Sequence, residues 1–265
     1  MHKSYVDGRW GQVHVRSAGP ATGSGPVVVL LHQSPLSGDQ FTPAMRHLAD
    51  AGLRAVALDM PGYGASAPPP AAASVPEHAD ALAMALEGLG LDRVTMLGNH
   101  TGAAIAAAFA AGAHKGRVEK LVLNGVPYLS EAEQAHFAGF KFSPLVPKAD
   151  GSHLLAAWNQ RLQASPGWTD LAAMHRHSVT MMGNPDRYFW AFEGVFAHDV
   201  EADLKRIEAP TLVLSNSGDD LFEASKRAAA LRPEWDFAAL EGGTHDIVDE
   251  QPEAWAAAVA GWIKG

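Results

Sequence analysis

Hydrophobic and polar positions along the 265-residue chain follow two alternating rhythms. Continuous apolar runs such as PVVVLLHQSP (26–35) and VEKLVLNGV (118–126) suit strands buried on both faces. Between them lie stretches with helical spacing. FTPAMRHLADAG (41–52) closes at Gly52, and in SVPEHADALAMALEGLGL (74–91) Ser74 can cap while Pro76 and Glu77 suit a first turn. LRAVALDMPGYGAS (53–66) reads as a strand entering a glycine-punctuated loop, and RVTMLGN as a strand running into a helix that begins at Thr101. Near the N-terminus SYVDGRWGQVHVRSAG alternates around Asp7-Gly8, which predicts an edge hairpin. After residue 200 the rhythm resumes with APTLVLSNSGDD, LFEASKRAAAL, WDFAALEGGTHD and the helix QPEAWAAAVAGWI.

This order predicts an α/β fold with a mostly parallel central sheet flanked by helices. From about 128 to 200 the period becomes amphipathic-helical with no convincing buried strand. The expected organisation is a core of 1–127 and 201–265, with 128–200 inserted as a helical lid. The aromatic cluster Tyr188, Phe189, Trp190, Phe192 and Phe196 is most simply packing of the lid itself.

Charge and composition narrow the function. With 29 acidic and 20 basic residues the formal charge is −9, which argues against nucleic acid or an anionic membrane as partner. The absence of cysteine excludes disulfides, thiolate catalysis and thiolate metal sites. His175 and His177 are two apart, so on a helix they face differently and do not form a metal pair. The opening MHKSYVDGRWG has no apolar core of a signal peptide, and the run Ala103–Ala113 is far shorter than the roughly 20 residues of a membrane helix. A cytoplasmic protein acting on a small molecule is the expectation, and nothing excludes an oligomer.

Chemistry concentrates at strand ends. GNHTG (98–102) sits between a strand and an alanine-rich helix. LLHQSP, DMPGYGAS, GNHTG, SGDDLFE and GGTHD follow one another in the order in which lid-bearing α/β-hydrolases carry their working loops. Over essentially its whole length the chain resembles that superfamily. Two departures stand out: Gln33 replaces a glycine of the H-G-x-P loop, and His100 replaces the serine of the G-x-S-x-G nucleophile elbow.

The resemblance implies roles. His245 would be the base, and Asp219 the carboxylate orienting it (counted back from Glu223), with neighbouring Asp220 the alternative. The backbone N–H groups of Thr101 and Ser34 would form the oxyanion hole. Gln33 could reach into the pocket, and Trp158 and Trp190 would line it, as lid aromatics commonly do in this family. No cofactor and no metal are implied.

A histidine at the elbow changes the chemistry. Neutral imidazole attacks with a free lone pair and forms an acyl-imidazole that water cleaves readily. Because imidazole also leaves easily, such a site favours substrates with good leaving groups: esters, thioesters, lactones or 1,3-dicarbonyl C–C bonds. In a second version His100 and His245 hold a water between them. In either, two imidazoles resist being charged together, so one is expected below its free pKa of about 6.5. Two other classes stay open: a lyase or cofactor-free oxygenase working through the His245–Asp219 dyad, and a ligand-binding protein without turnover.

Overall fold

The computed structural model describes residues 1–20, 25–139 and 142–265. Eight strands form one sheet: β1 (His2–Gly8), β2 (Gly11–Ala18), β3 (Val27–Leu31), β4 (Arg54–Leu58), β5 (Val94–Asn99), β6 (Val118–Asn124), β7 (Thr211–Asn216) and β8 (Asp236–Leu240). Their spatial order is β1-β2-β4-β3-β5-β6-β7-β8. β1 and β2 are antiparallel to each other, and β2 is antiparallel to β4; every pairing from β4 to β8 is parallel. Strand order reverses at β3, between β4 and β5, and ligands bind at such a switch point outside the carboxyl ends of the strands.

The edge hairpin forms, but its turn lies later than Asp7-Gly8 suggested. Gly8 pairs with Gly11, so Arg9 and Trp10 make the turn, and Gly11 takes the positive φ (124°) needed to leave it.

Alternation along the parallel strands divides the core in two. Val29, Leu31, Val56 and Leu58 face a cluster shared with α2 (Val75–Gly88) and α3 (Thr101–Ala111). Val28, Leu30, Ala55 and Ala57 face α1 (Thr42–Asp50) and α11 (Pro252–Lys264). The cap of α2 is a capping box: Ser74 accepts from the Glu77 N–H, and Glu77 accepts from the Ser74 N–H. Residues 101–110 of α3 are all buried, which explains the run of alanines in a helix hemmed in on every side.

Between β6 and β7 come α4 (Glu131–Ala138), α5 (Ser152–Ala164), α6 (Leu171–Met182), α7 (Trp190–Phe196) and α8 (Val200–Arg206). Residues 140 and 141 of this insertion lie outside the described residues. Leu145, Ala157, Met181 and Tyr188 form a separate small core within it. The chain ends with α9 (Phe222–Leu231), α10 (Ile247–Glu250) and α11. No helix among the described residues is long and apolar enough to cross a membrane.

Candidate active site

β5 hands the chain to α3 through His100, whose φ of 51° and ψ of −110° make it the one non-glycine residue with positive φ among those described. Such a conformation costs roughly 1–3 kcal/mol and persists only where its surroundings enforce it. They do. A Cβ on Gly98 would collide with the Gly102 carbonyl, and one on Gly102 with the Leu31 carbonyl, so both flanking glycines are needed for the close crossing. The His100 N–H donates to the Asn124 carbonyl (2.9 Å), and its own carbonyl accepts from Ala103 and Ala104 to start the helix.

Behind the ring lies Gly125, with φ of 59°. A Cβ there would strike His100 Cδ2 and Nε2 and lie 2.9 Å from Asp219 Oδ2. An imidazole is larger than a serine hydroxyl, and Gly125 clears the space for it. The sequence offered no reason to single out this glycine.

Two histidines and two aspartates join in a line. His100 Nε2 lies 2.9 Å from Asp219 Oδ2, His100 Nδ1 lies 3.2 Å from His245 Nε2, and His245 Nδ1 lies 2.9 Å from Asp220 Oδ1. The rings meet edge to face with centroids 4.0 Å apart. This corrects the expected pairing: Asp220, not Asp219, orients His245, and Asp219 orients His100. The cause is the second histidine itself, whose Nε2 reaches past the position of a serine hydroxyl and takes the buried carboxylate. Nor does a water fit between the two rings, since bridging would need about 5.5 Å between the nitrogens.

A carboxylate only accepts, so the far nitrogen of each ring carries hydrogen. Two bare lone pairs facing at 3.2 Å would repel, so the contact calls for one proton shared between the two facing nitrogens. Burial opposes a charged His245, but the carboxylates of Asp220, Asp246 and Asp219 outweigh it and push its pKa up. The expectation of a lowered histidine does not hold for His245, because the rings are not an isolated like-charge pair. Partial desolvation works against the Asp220 carboxylate too, yet the His245 charge takes its pKa well below the usual range. The four side chains offer donor atoms within 4.8 Å of one another, close enough for a small cation. As arranged, their nitrogens are already committed to carboxylates and to the shared proton.

The loop after β3 departs from expectation at two positions. The Ser34 N–H donates to Thr101 Oγ1 at 2.7 Å, so it is not a free oxyanion donor. Gln33 is fully buried with its amide spent: Oε1 accepts from Asn99 Nδ2 (2.6 Å) and Nε2 donates to Asp246 Oδ1 (2.8 Å), so it braces the site and does not line the pocket. His32 holds this loop against the next one, with Nδ1 on the Gln33 carbonyl and Nε2 accepting from the Met60 N–H, each at 2.9 Å. Burial keeps its pKa down and the ring neutral, as that accepting role needs. The Thr101 N–H, in the first turn of α3, has no partner among the described residues.

A cavity of about 220 Å³ opens over His100, His245, Ser34 and Thr101. Its apolar wall includes Pro127, Leu129, Phe137, Phe142, Phe192 and Phe196. Phe137 stacks on Phe196 and Phe142 on Phe192, each pair with centroids 5.2 Å apart. Two members of the aromatic cluster read as lid packing thus face the cavity. Trp158 and Trp190 are not in its lining: Trp190 packs into the insertion's own core, and only the last turn of α5, through Arg161 and Ala164, reaches the cavity.

Asp246, next to His245, escaped notice in the sequence. Fully buried, it accepts from Gln33 Nε2, Arg161 Nη2 and Ser165 Oγ. Burial alone would raise its pKa, but Arg161 and His177 hold it well below the carboxylate range. His177 Nε2 lies 2.7 Å from Asp249 Oδ2, and Arg176 donates to both oxygens of Asp249. α5 and α6 are thereby pinned to the residues that follow His245, with His177 as an ion-paired tie.

A reversing parallel sheet, a strained elbow at its carboxyl edge and a histidine on the last loop beside that elbow define an α/β-hydrolase fold. The family model described as alpha/beta hydrolase fold matches residues 26–252, and the chain belongs to that family. It is 26% identical over 243 residues to a non-heme chloroperoxidase of Streptomyces lividans, covering 85% of this chain and 87% of that protein. A Pseudomonas putida protein named 2-hydroxy-6-oxononadienedioate/2-hydroxy-6-oxononatrienedioate hydrolase 2 is 39% identical over 118 residues, 43% of this chain and 40% of that one. Among solved structures, the bromoperoxidase from Bacillus anthracis superposes with a TM-score of 0.84 at 20% identity over the whole of both chains.

Proposed function

We propose that this chain hydrolyses activated acyl bonds in a small, largely apolar substrate, using His100 as nucleophile and needing no cofactor. The bonds in question are esters, thioesters, lactones and 1,3-dicarbonyl C–C bonds. One observation carries the reading: at a strained elbow, His100 Nδ1 touches His245 Nε2 while each ring's far nitrogen rests on its own carboxylate. The family and the hydrolase among its relatives support hydrolytic chemistry, and the cavity volume and phenylalanine wall support the substrate class.

In this reading the shared proton rests on His245, leaving a lone pair on His100 Nδ1. That nitrogen adds to the acyl carbon and the carbonyl electrons move onto oxygen. As the carbonyl re-forms, the bond to the leaving group breaks and the His245 Nε2 proton passes to it. Asp219 stays on the Nε2–H of the acyl-imidazolium and stabilises its charge. Neutral His245 then takes a proton from water, the hydroxide oxygen adds to the acyl carbon, and the C–N bond breaks with its electrons returning to Nδ1. One water is consumed, acid and protonated leaving group are released, and the proton is back on His245. Helices α4 to α7 act as the lid that keeps the cavity dry.

Turnover of aryl esters, thioesters and lactones, with rapid-quench mass spectrometry for an acyl adduct, tests the proposal. Wild type should turn over with the adduct on the His100 peptide, and His100→Ala and His245→Ala should both drop to background. Loss of turnover in His245→Ala alone would remove His100 as nucleophile and favour the dyad chemistry of a lyase or oxygenase.

A further inference from the structure

The elbow needs two hydrogen-bond donors where the oxyanion forms, and the structure leaves one of them unaccounted for. The Thr101 N–H has no partner among the described residues, but the Ser34 N–H is taken by Thr101 Oγ1 at 2.7 Å. Freeing it would cost a short, buried hydrogen bond between residues only 2% and 6% exposed.

The hydroxyl hydrogen of Thr101 is held far less firmly. Its partner is Ser34 Oγ at 3.4 Å, close to the limit of a hydrogen bond. A hydroxyl whose oxygen accepts a short bond from a backbone N–H is polarised by it and becomes a better donor. Thr101 lines the cavity beside His100, and it is also the residue whose backbone N–H has no partner among the described residues.

Resting on the acyl-transfer reading above, we infer that Thr101 supplies both oxyanion donors, its backbone N–H and its side-chain hydroxyl. The Ser34 N–H acts one bond further out, holding Thr101 Oγ1 in place and polarising it. When the acyl oxygen gains charge, the Thr101 hydrogen leaves its weak contact with Ser34 Oγ for the oxyanion, and the 2.7 Å bond from Ser34 stays intact. The loop of residues 32–34 thereby contributes to catalysis through threonine, which explains how the elbow tolerates Gln33 in place of a glycine: the loop backbone does not have to present its own N–H to substrate. The residue after the nucleophile becomes selective for a hydroxyl.

The experiment compares Thr101→Val, Thr101→Ser and Thr101→Ala with wild type on one aryl ester, with KM and kcat measured separately. Valine keeps the shape and removes the hydroxyl; serine keeps the hydroxyl. The expected result is a fall in kcat of about 10²–10³ for valine with KM within a few-fold, the loss typical of one oxyanion donor, and recovery to within about fivefold of wild type for serine. If Thr101 only blocks the Ser34 N–H, valine and alanine should match or exceed wild-type kcat, and the inference falls. Melting temperatures of all three variants separate loss of catalysis from loss of fold, and a valine variant that does not fold leaves the serine–alanine contrast to decide in the same way. His100→Ala and His245→Ala run in the same assay: activity surviving in them sinks the acyl-transfer reading, whereas background activity in them beside an unimpaired valine variant sinks the Thr101 role alone.

Discussion

His100 and Asp219 keep 4% and 0% of their side chains exposed, whereas His245 and Asp220, also 2.9 Å apart, expose 16% and 58%. The same two residue types therefore perform at opposite ends of a solvent gradient. The inner pair is fixed: Asp219 accepts from His100 through one oxygen and from the Leu221 N–H (3.0 Å) through the other, so neither group has room to turn. The outer pair is wet enough to trade protons with water and a leaving group. A nucleophile needs one tautomer held without exception, and an acid–base group needs to change state once in each half-reaction. Under the proposed mechanism, burial distinguishes the nucleophile from the acid–base group where residue identity does not.

Asp219→Asn should break this contrast most severely. The amide would donate to His100 Nε2 and force hydrogen onto Nδ1, removing the attacking lone pair. A fall in kcat of about 10³–10⁴ is expected, the scale of a wrongly fixed catalytic imidazole. Nitrogen NMR of the His100 ring should show the tautomer reversed. Asp220→Asn should cost less, about 10- to 100-fold, because water can replace part of an exposed carboxylate. Its effect on stability should stay within about 1 kcal/mol, as for surface pairs generally. If Asp220→Asn proves the more damaging of the two, the assignment of fixed and mobile halves is the wrong way round.

The shared proton gives a pH signature. The pKa of His245 is pushed up, so its proton is fully bound below about 6.5 and is lost as pH rises through the raised value. Acylation needs that proton for the leaving group, so kcat/KM should fall on the alkaline side. Removing the Asp220 charge should move that limb to lower pH, and a pH profile of wild type against Asp220→Asn measures the shift directly. An unmoved limb would mean that another group controls it.

What was legible in the sequence divides along similar lines. Strands, helices and the inserted segment could be read because their patterning repeats over many residues, as in the two-faced burial of Val28 to Leu31. His100 and His245 were legible because glycines bracket or precede them at strand ends. The order Asp219, Asp220 was not, because motif counting assumes a serine, and an imidazole extends the chain of contacts by a full ring. Gln33, Gly125, Arg161 and Asp246 owe their roles to partners far away in sequence, 213 residues in the case of Gln33 and Asp246. No local pattern marks such a pairing. The engagement of the Ser34 N–H by Thr101 Oγ1 was not legible either, since a backbone N–H carries no sign of which oxygen will claim it.

Another buried histidine sharpens the comparison from outside the site, with the smallest effect on activity. His78, on α2, is 3% exposed, its Nδ1 has no partner among the described residues, and it faces the ring of Trp10 edge-on where the active-site rings face carboxylates. Burial lowers its pKa to about 4, with Glu77 opposing the shift. Free histidine titrates near 6.5, so as pH falls from about 6.5 to 4 the unfolded chain takes up a proton that the folded chain refuses, and stability is lost over that interval. A shift of this size corresponds to at most about 3 kcal/mol. His78→Leu removes the titrating group in a similar volume and should leave kcat at neutral pH unchanged. Denaturant unfolding at pH 7 and pH 4.5 should show a smaller acid penalty for the variant than for wild type. Equal penalties would place the acid sensitivity elsewhere.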